Sequence, residues 1–397
     1  MSSTATPSVV RASIGSRHVI NLLMGVAATA LVATILKSIR PLLDTARQPW
    51  LVADYPASQW WLDYDHVGFS RRGLPGEVLT WFAGGTPSAW QVSAAALTVT
   101  VAAIGSIAWL AWALGRRAEP TVRLGVVALV LASPFTLGQQ IRDVGRYDAI
   151  GVCALALLVA VAGRRRATPF VVAVVVLVAG LSQELLAAFV IPVAVLVTAA
   201  GRTGWRAAAV PVAAIAPGLV ATAVSCLARP TVPELASTEA AAQAARPDIV
   251  PGTTSIAALW QTPAQAVAHL EVMKWWVLPS ATLLLGGCFV AFTALLWYLV
   301  GRPARFHRYA GWFALASVGV SLTAVDYQRW WSLAFVSAVA VLALLPLPER
   351  RPAVTVSRRF VGIVAAVLVV GVGLQLGPIN AERLDHSSRV VIELPPS

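Results

Sequence analysis

About eleven apolar segments partition this chain, and they leave it few ways to fold. A helix of ~20 apolar residues crosses the hydrocarbon core of a bilayer. Inside that core only helices or closed barrels satisfy their own backbone amides. The segments here are continuous apolar runs rather than alternating ones, so helices are expected. The chain is 58% hydrophobic and 12% charged over 397 residues, against about 25% charged in a soluble protein. The expectation is an all-α polytopic membrane protein, one membrane domain over residues 1–397, with about 11 transmembrane helices. Two long loops, 37–90 and 229–274, and a tail, 378–397, interrupt or follow the apolar segments. The first apolar run is about 18 residues, long for the core of a cleaved signal, and reads as a retained first helix.

Charge gives the orientation. With the N-terminus in the cytoplasm, the segments on one side hold 17 arginines and two acids, Glu119 and Glu349. The other side holds the remaining 16 acids, mixed with bases. By the positive-inside rule the arginine-rich turns are cytoplasmic, and the long loops and the C-terminus are extracytoplasmic. The net charge of +12 is therefore spent beside anionic lipid, and nucleic acid is a poor partner for it. The three cysteines, Cys153, Cys226 and Cys288, lie in apolar segments at no metal-binding or disulfide spacing.

Four outer segments carry acids with arginines. The first loop reads Trp60-Trp61-Leu62-Asp63-Tyr64-Asp65-His66-Val67-Gly68-Phe69-Ser70-Arg71-Arg72-Gly73-Leu74. A partly buried carboxylate such as Asp65 or Asp63 can act as a general base on a hydroxyl. The planar fork of arginine suits phosphate. A plainer reading pairs Asp63 and Asp65 with Arg71 and Arg72 in a solvated loop. The second patch holds Arg142, Asp143, Arg146 and Asp148; a helix there would put Arg142 and Arg146 on one face. The third is Gln183-Glu184, at the apex of a hairpin of two short apolar halves, where an acid is costly enough to suggest a function or an arginine partner, Arg142 or Arg146. The fourth is Asp326-Tyr327-Gln328-Arg329, next to Trp330 and Trp331. Together they suggest one outward-opening cavity, with His66, Asp143, Asp148, Gln183, Glu184, Asp326 and Tyr327 as its supporting polar groups.

Ten of the 15 tryptophans fall in outer loops or at outer segment ends. Interfacial anchoring accounts for part of this. Trp60, Trp61, Trp275, Trp276 and Trp330 are candidate faces for stacking on a sugar or a lipid chain. Asp63 and Asp65 could hold Mg or Mn through oxygen, although the five histidines show no metal spacing. No P-loop, dinucleotide fingerprint or nucleophile elbow is present.

These residues resemble the C-type glycosyltransferases (GT-C), multi-spanning enzymes that use polyprenyl-phosphate-linked sugars on the outer face. Gly68-Phe69-Ser70-Arg71-Arg72-Gly73-Leu74 also looks like a signature of bacterial membrane proteins of envelope-polysaccharide type. The resemblance implies a catalytic acid at Asp65 or Asp63 and a donor phosphate held by Arg71, Arg72, Arg142, Arg146 and Arg329. The partners it implies are a polyprenyl-phosphate-linked sugar, an envelope glycan or glycolipid acceptor, and membrane lipid. The chain departs from the family pattern in lacking an adjacent acid pair and a large soluble C-terminal domain. Other readings of the same charges are a lipid-linked saccharide flippase or transporter, a polysaccharide polymerase or ligase that uses His269 and Arg246, and a non-catalytic assembly partner.

Overall fold

The computed structural model describes residues 54–164, 168–252, 254–259, 277–321, 327–348 and 358–376, together with Val52 and parts of 21–36. Helices are the regular elements among the described residues. Each apolar segment from the second onward contains one. Three of them, Ala89–Gly115, Arg206–Leu227 and Pro279–Leu299, are long and apolar enough to cross a membrane. Asp148–Val161, Thr168–Ser182 and Ala187–Ala199 are apolar but shorter.

The apolar segment that follows Arg123, expected to end near Gly138, differs most from its sequence expectation. Its helix, Arg123–Leu131, covers only nine residues. Pro134 is the cause, since the residue before a proline is pushed out of the helical region. Thr136 Oγ1 then donates to the carbonyl of Val130 at 2.7 Å, satisfying an acceptor the ended helix leaves open.

The helices form a bundle around Tyr327–Leu344. Every residue from Trp330 to Leu342 is buried, as expected of a helix that is apolar on all sides and packed by neighbours on all sides. It touches Ala89–Gly115, Asp148–Val161, Ala187–Ala199, Val277–Leu299 and Phe306–Ser321. The most extensive helix pair is Thr168–Ser182 against Arg206–Leu227. There a Cβ on Gly180 would stand 2.0 Å from Thr222 Oγ1. Small residues let such backbones approach where no hydrophobic force separates helix from lipid.

One end of the bundle carries a second apolar core, made by both long loops. Val52, Ala57, Trp60, Trp61, Leu62 and Val67 from the first pack with Leu235, Ala242, Ile249, Ile256 and Leu259 from the second. The helix Val232–Ala245 supplies part of this layer, and the Glu234 carboxylate accepts from the amide of Thr231 at its start (2.6 Å). Polar stitches join the loops. The Ser58 and Ser255 hydroxyls lie 2.8 Å apart, and Arg246 Nη1 donates to the Val52 carbonyl at 2.7 Å. Buried Glu239 accepts from the Gly252 amide at 3.0 Å.

Gly145 pins this cap to the bundle. Its carbonyl accepts from Gln59 Nε2 (2.6 Å) and Trp60 Nε1 (2.7 Å). Its φ is +91°, and a Cβ there would stand 2.8 Å from Val52 Cγ1. Gly145→Ala is therefore expected to destabilise the protein by ~1–3 kcal/mol, from backbone strain and overpacking together. A thermal melt of purified protein reads this, and an unchanged midpoint would contradict the argument.

Candidate functional site

The polar site lies where the capped end meets the bundle. Glu184 opens a short 3-10 turn (Glu184–Leu186) between Thr168–Ser182 and the following helix. Its Oε2 accepts from Arg72 Nε at 3.1 Å and its Oε1 from Arg72 Nη2 at 2.8 Å. Arg71 Nη1 reaches the same Oε1 at 3.4 Å, and Arg71 Nη2 donates to the Leu259 carbonyl at 3.3 Å. The hairpin acid is thus held by the first loop, and neither Arg142 nor Arg146 is its ion-pair partner. Asp63 and Asp65 do not pair with Arg71 or Arg72.

Burial is the largest influence on Arg72 and opposes its charge, but the Glu184 carboxylate and its hydrogen bonds override that and raise the pKa above the ordinary value. For Arg71 burial again comes first, Arg72 beside it adds to the effect, and the pKa is lowered. Arg72 takes both oxygens of Glu184, and Arg71 shares one of them.

A second ion pair lies next to the first. Arg329 holds Asp148 through Nε and through Nη2, the latter at 3.0 Å, and Nη2 also reaches Gln183 Oε1 at 3.4 Å. Gln183 adjoins Glu184, so the two pairs share one turn. The Arg329 guanidinium carbon sits 4.9 Å from the Trp330 ring centroid. Next to Asp148, Arg146 Nε stands 3.8 Å from Asp143 Oδ1, and its guanidinium carbon 5.2 Å from the Tyr55 ring centroid. Gln139 Nε2 donates to Asp143 Oδ2. Arg142 donates to the Gly138 carbonyl (3.2 Å) and to Gln139 Oε1 (3.3 Å). Gln139, Gln140, Asp143, Arg146, Asp148, Ala149, Arg329 and Ser332 line a small cleft.

Arg142 and Arg146 do not share a helix. Leu137–Arg142 ends at Arg142, and Gly145 turns the chain before Asp148 opens the next helix. The glycine that the cap requires is also what breaks the expected face.

Asp63 and Asp65 have different surroundings. Asp63 is buried and caps the turn Tyr64–Val67. It accepts from the His66 amide (2.8 Å), and its two oxygens lie 2.7 and 2.8 Å from His66 Nδ1. Thr80 Oγ1 donates to it at 3.3 Å. Both oxygens of Asp63 are thus engaged within the loop, and among the described residues no group of three or more His, Cys, Asp or Glu side chains is placed to hold a metal ion. Asp65 is exposed and makes no hydrogen bond or ion pair among the described residues.

The tryptophans expected as stacking faces are structural where the structure describes them. Trp60 and Trp61 are buried; Trp60 packs edge-on to Tyr147 at 5.1 Å, and Trp61 Nε1 donates to the Pro87 carbonyl at 2.8 Å. Trp330 is buried against Phe189, with centroids 6.4 Å apart and rings nearly parallel. None of the three has an open face for a sugar, because the loop core and the bundle need their area. Tyr327 is buried as well. Asp326, Trp275 and Trp276 lie outside the described residues, as does His269.

Sequence reasoning missed four polar contributors: the Leu259 carbonyl, Gln139, Gln140 and Ser332. The pair Gln139-Gln140 opens a patch already marked by its charges, and two adjacent amides at a segment end were the available signal. No family model matches the chain, and neither a curated protein nor a solved structure is significantly similar to it.

Proposed function

We propose that the chain is a membrane glycosyltransferase of about eleven spans. In this reading it moves a sugar from a polyprenyl-phosphate donor to an envelope glycan or glycolipid, with the capped end outside a bacterial plasma membrane. The observation that carries the reading is the meeting of Arg71, Arg72, Asp148, Glu184 and Arg329, from four distant stretches of sequence, at one end of an apolar bundle. Such charges are expensive there and are retained for a reason.

The chemistry is a single displacement. The acceptor oxygen attacks the anomeric carbon while its proton passes to Asp65, which makes no hydrogen bond or ion pair among the described residues. The bond from the anomeric carbon to the phosphate oxygen breaks, and its electron pair leaves with the phosphate. Arginine stabilises that anion, so the leaving group needs no proton. The configuration at carbon inverts.

Orientation has its own test. In protein whose Cys153, Cys226 and Cys288 are replaced by Ala, Ala240→Cys is expected to react with a membrane-impermeant maleimide on intact cells, and Arg305→Cys only after lysis. The reverse pattern would place the site in the cytoplasm and remove the reading.

A further inference from the structure

Glycine is the usual residue where a backbone turns left-handed. Among the described residues three others do so, and all are arginines: Arg72, Arg302 and Arg305, with φ of +68°, +57° and +66°. Arg72 is held there by its fork on Glu184. Arg302 and Arg305 lie far from that site, in the turn between Val277–Leu299 and Phe306–Ser321. Ser317 Oγ donates to the Trp330 carbonyl at 3.1 Å. The second of these helices therefore meets the site near its C-terminal end, and the turn stands about 12 residues, or ~18 Å, away from it.

The turn is pinned. Trp297 Nε1 donates to the Pro303 carbonyl at 3.1 Å, and the Arg302 amide to the Trp297 carbonyl at 2.9 Å. The Arg302 guanidinium carbon stands 4.6 Å from the Tyr298 ring centroid, and that ring lies 5.2 Å from the ring of Phe360 in the last helix. Nothing in the turn itself calls for arginine. Other arginines at this end are used inside the protein. Arg117 donates to the Leu342 carbonyl at 3.1 Å and to that of Leu345, and Arg202 to that of Thr198. Arg302 and Arg305 are exposed and meet no carboxylate among the described residues, and Arg308 just beyond them is the same. Glycine would take both left-handed positions without strain, so the guanidinium groups are what the turn keeps.

An apolar track leads to them. Leu283, Gly287, Val290 and Ala294 are exposed at helical spacing along a helix long and apolar enough to cross a membrane. A Cβ on Gly287 would meet nothing, so the track is open there. Val290 lies ~13 Å along the axis before Leu299, within one leaflet's half of a hydrocarbon core ~30 Å thick. Cations at the end of a span, above a bare apolar stripe of leaflet depth, fit an amphiphile with an anionic head.

We propose that the turn 301–305 binds one anionic phospholipid, with its phosphodiester between Arg302 and Arg305 and an acyl chain along Leu283, Gly287, Val290 and Ala294. The phosphate gives both guanidinium groups the charge-assisted hydrogen bonds that the protein does not. Stacking on Tyr298 sets one of them in place beforehand. The inference goes beyond sugar transfer and rests only on the bundle's lying in a membrane.

Full-length protein in non-ionic detergent is titrated with phosphatidylglycerol, and bound lipid is counted by native mass spectrometry. One lipid is expected to bind ahead of any others, and phosphatidylcholine at least tenfold more weakly. Arg302→Gln with Arg305→Gln is expected to weaken phosphatidylglycerol binding ~10–30-fold. Arg164→Gln with Arg206→Gln, which removes two other exposed arginines from the same end, is expected to change it less than twofold. Arg305→Gly separates binding from structure. Freed of left-handed strain, it should melt no lower than the parent protein while losing affinity for the lipid. Equal losses in the two double variants would mean diffuse attraction to a basic face. Equal binding of phosphatidylcholine would mean an apolar track only, and displacement of the lipid by inorganic phosphate a free-anion site. Each of these overturns the proposal. So does a lower melting temperature in Arg305→Gly with unchanged lipid affinity, which would make the arginine structural. No readout here involves sugar transfer, so either result leaves the glycosyltransferase reading to its own assay.

Discussion

Glu184→Gln is expected to destabilise the protein by ~3–5 kcal/mol, because it leaves partly buried guanidinium groups without their countercharge. The Glu184 and Arg72 side chains are only 12% and 18% exposed, so water offers little compensation. Gln keeps the shape but offers one acceptor oxygen to a fork that uses two. The loss should appear as a lower melting temperature and faster proteolysis of the first loop. The double variant Glu184→Gln with Arg72→Gln is expected to recover part of the stability, since it removes the orphaned charge along with its partner. Additive losses in that cycle would mean that the pair is not coupled.

Asp65→Asn is expected to lower the rate of sugar transfer by ~10²–10⁴, the usual contribution of a general base. The substitution keeps size and one acceptor, and Asp65 is exposed with no partner among the described residues. The melting temperature should therefore stay where it is. Asp63→Asn should behave differently. It weakens a cap and the hold on His66, so its cost falls on stability, ~0.5–2 kcal/mol. A turnover assay with a panel of polyprenyl-phosphate sugars, run beside thermal melts, separates the two. Full activity in Asp65→Asn removes it as the base. No transfer by the parent protein with any donor, together with measurable lipid translocation, favours a flippase.

The apolar segments were legible because burial in a bundle or a bilayer demands long apolar runs, which are visible one residue at a time. The grouping of Arg71, Arg72, Gln183, Glu184, Asp148 and Arg329 was legible in kind, from the cost of charge at segment ends. The pairing was not. Nothing in local sequence says that Glu184 is met by Arg72 rather than Arg146, since that depends on how the first loop folds over the hairpin. Trp60 and Trp61 were misjudged for a related reason. A tryptophan pair in a long loop looks free until the second loop, with Leu235, Ile249 and Ile256, supplies something to bury it against. Gly145 was silent in the sequence, yet it fixes where the helix breaks and how Trp60 is anchored.

The shared core of the two loops sets an order of events during synthesis. Residues around Trp61 leave the ribosome about 170 residues ahead of those around Leu235, which at ≈ 5–20 residues per second is a delay of roughly 10–35 s. Through that interval Trp60, Trp61 and Leu62 lack the second loop's Leu235, Ala242, Ile249, Ile256 and Leu259. Arg71 likewise waits for the Leu259 carbonyl, and Arg72 for Glu184. A chain stopped before residue 230 would hold the first loop's share of the second core and still lack the residues that cover it.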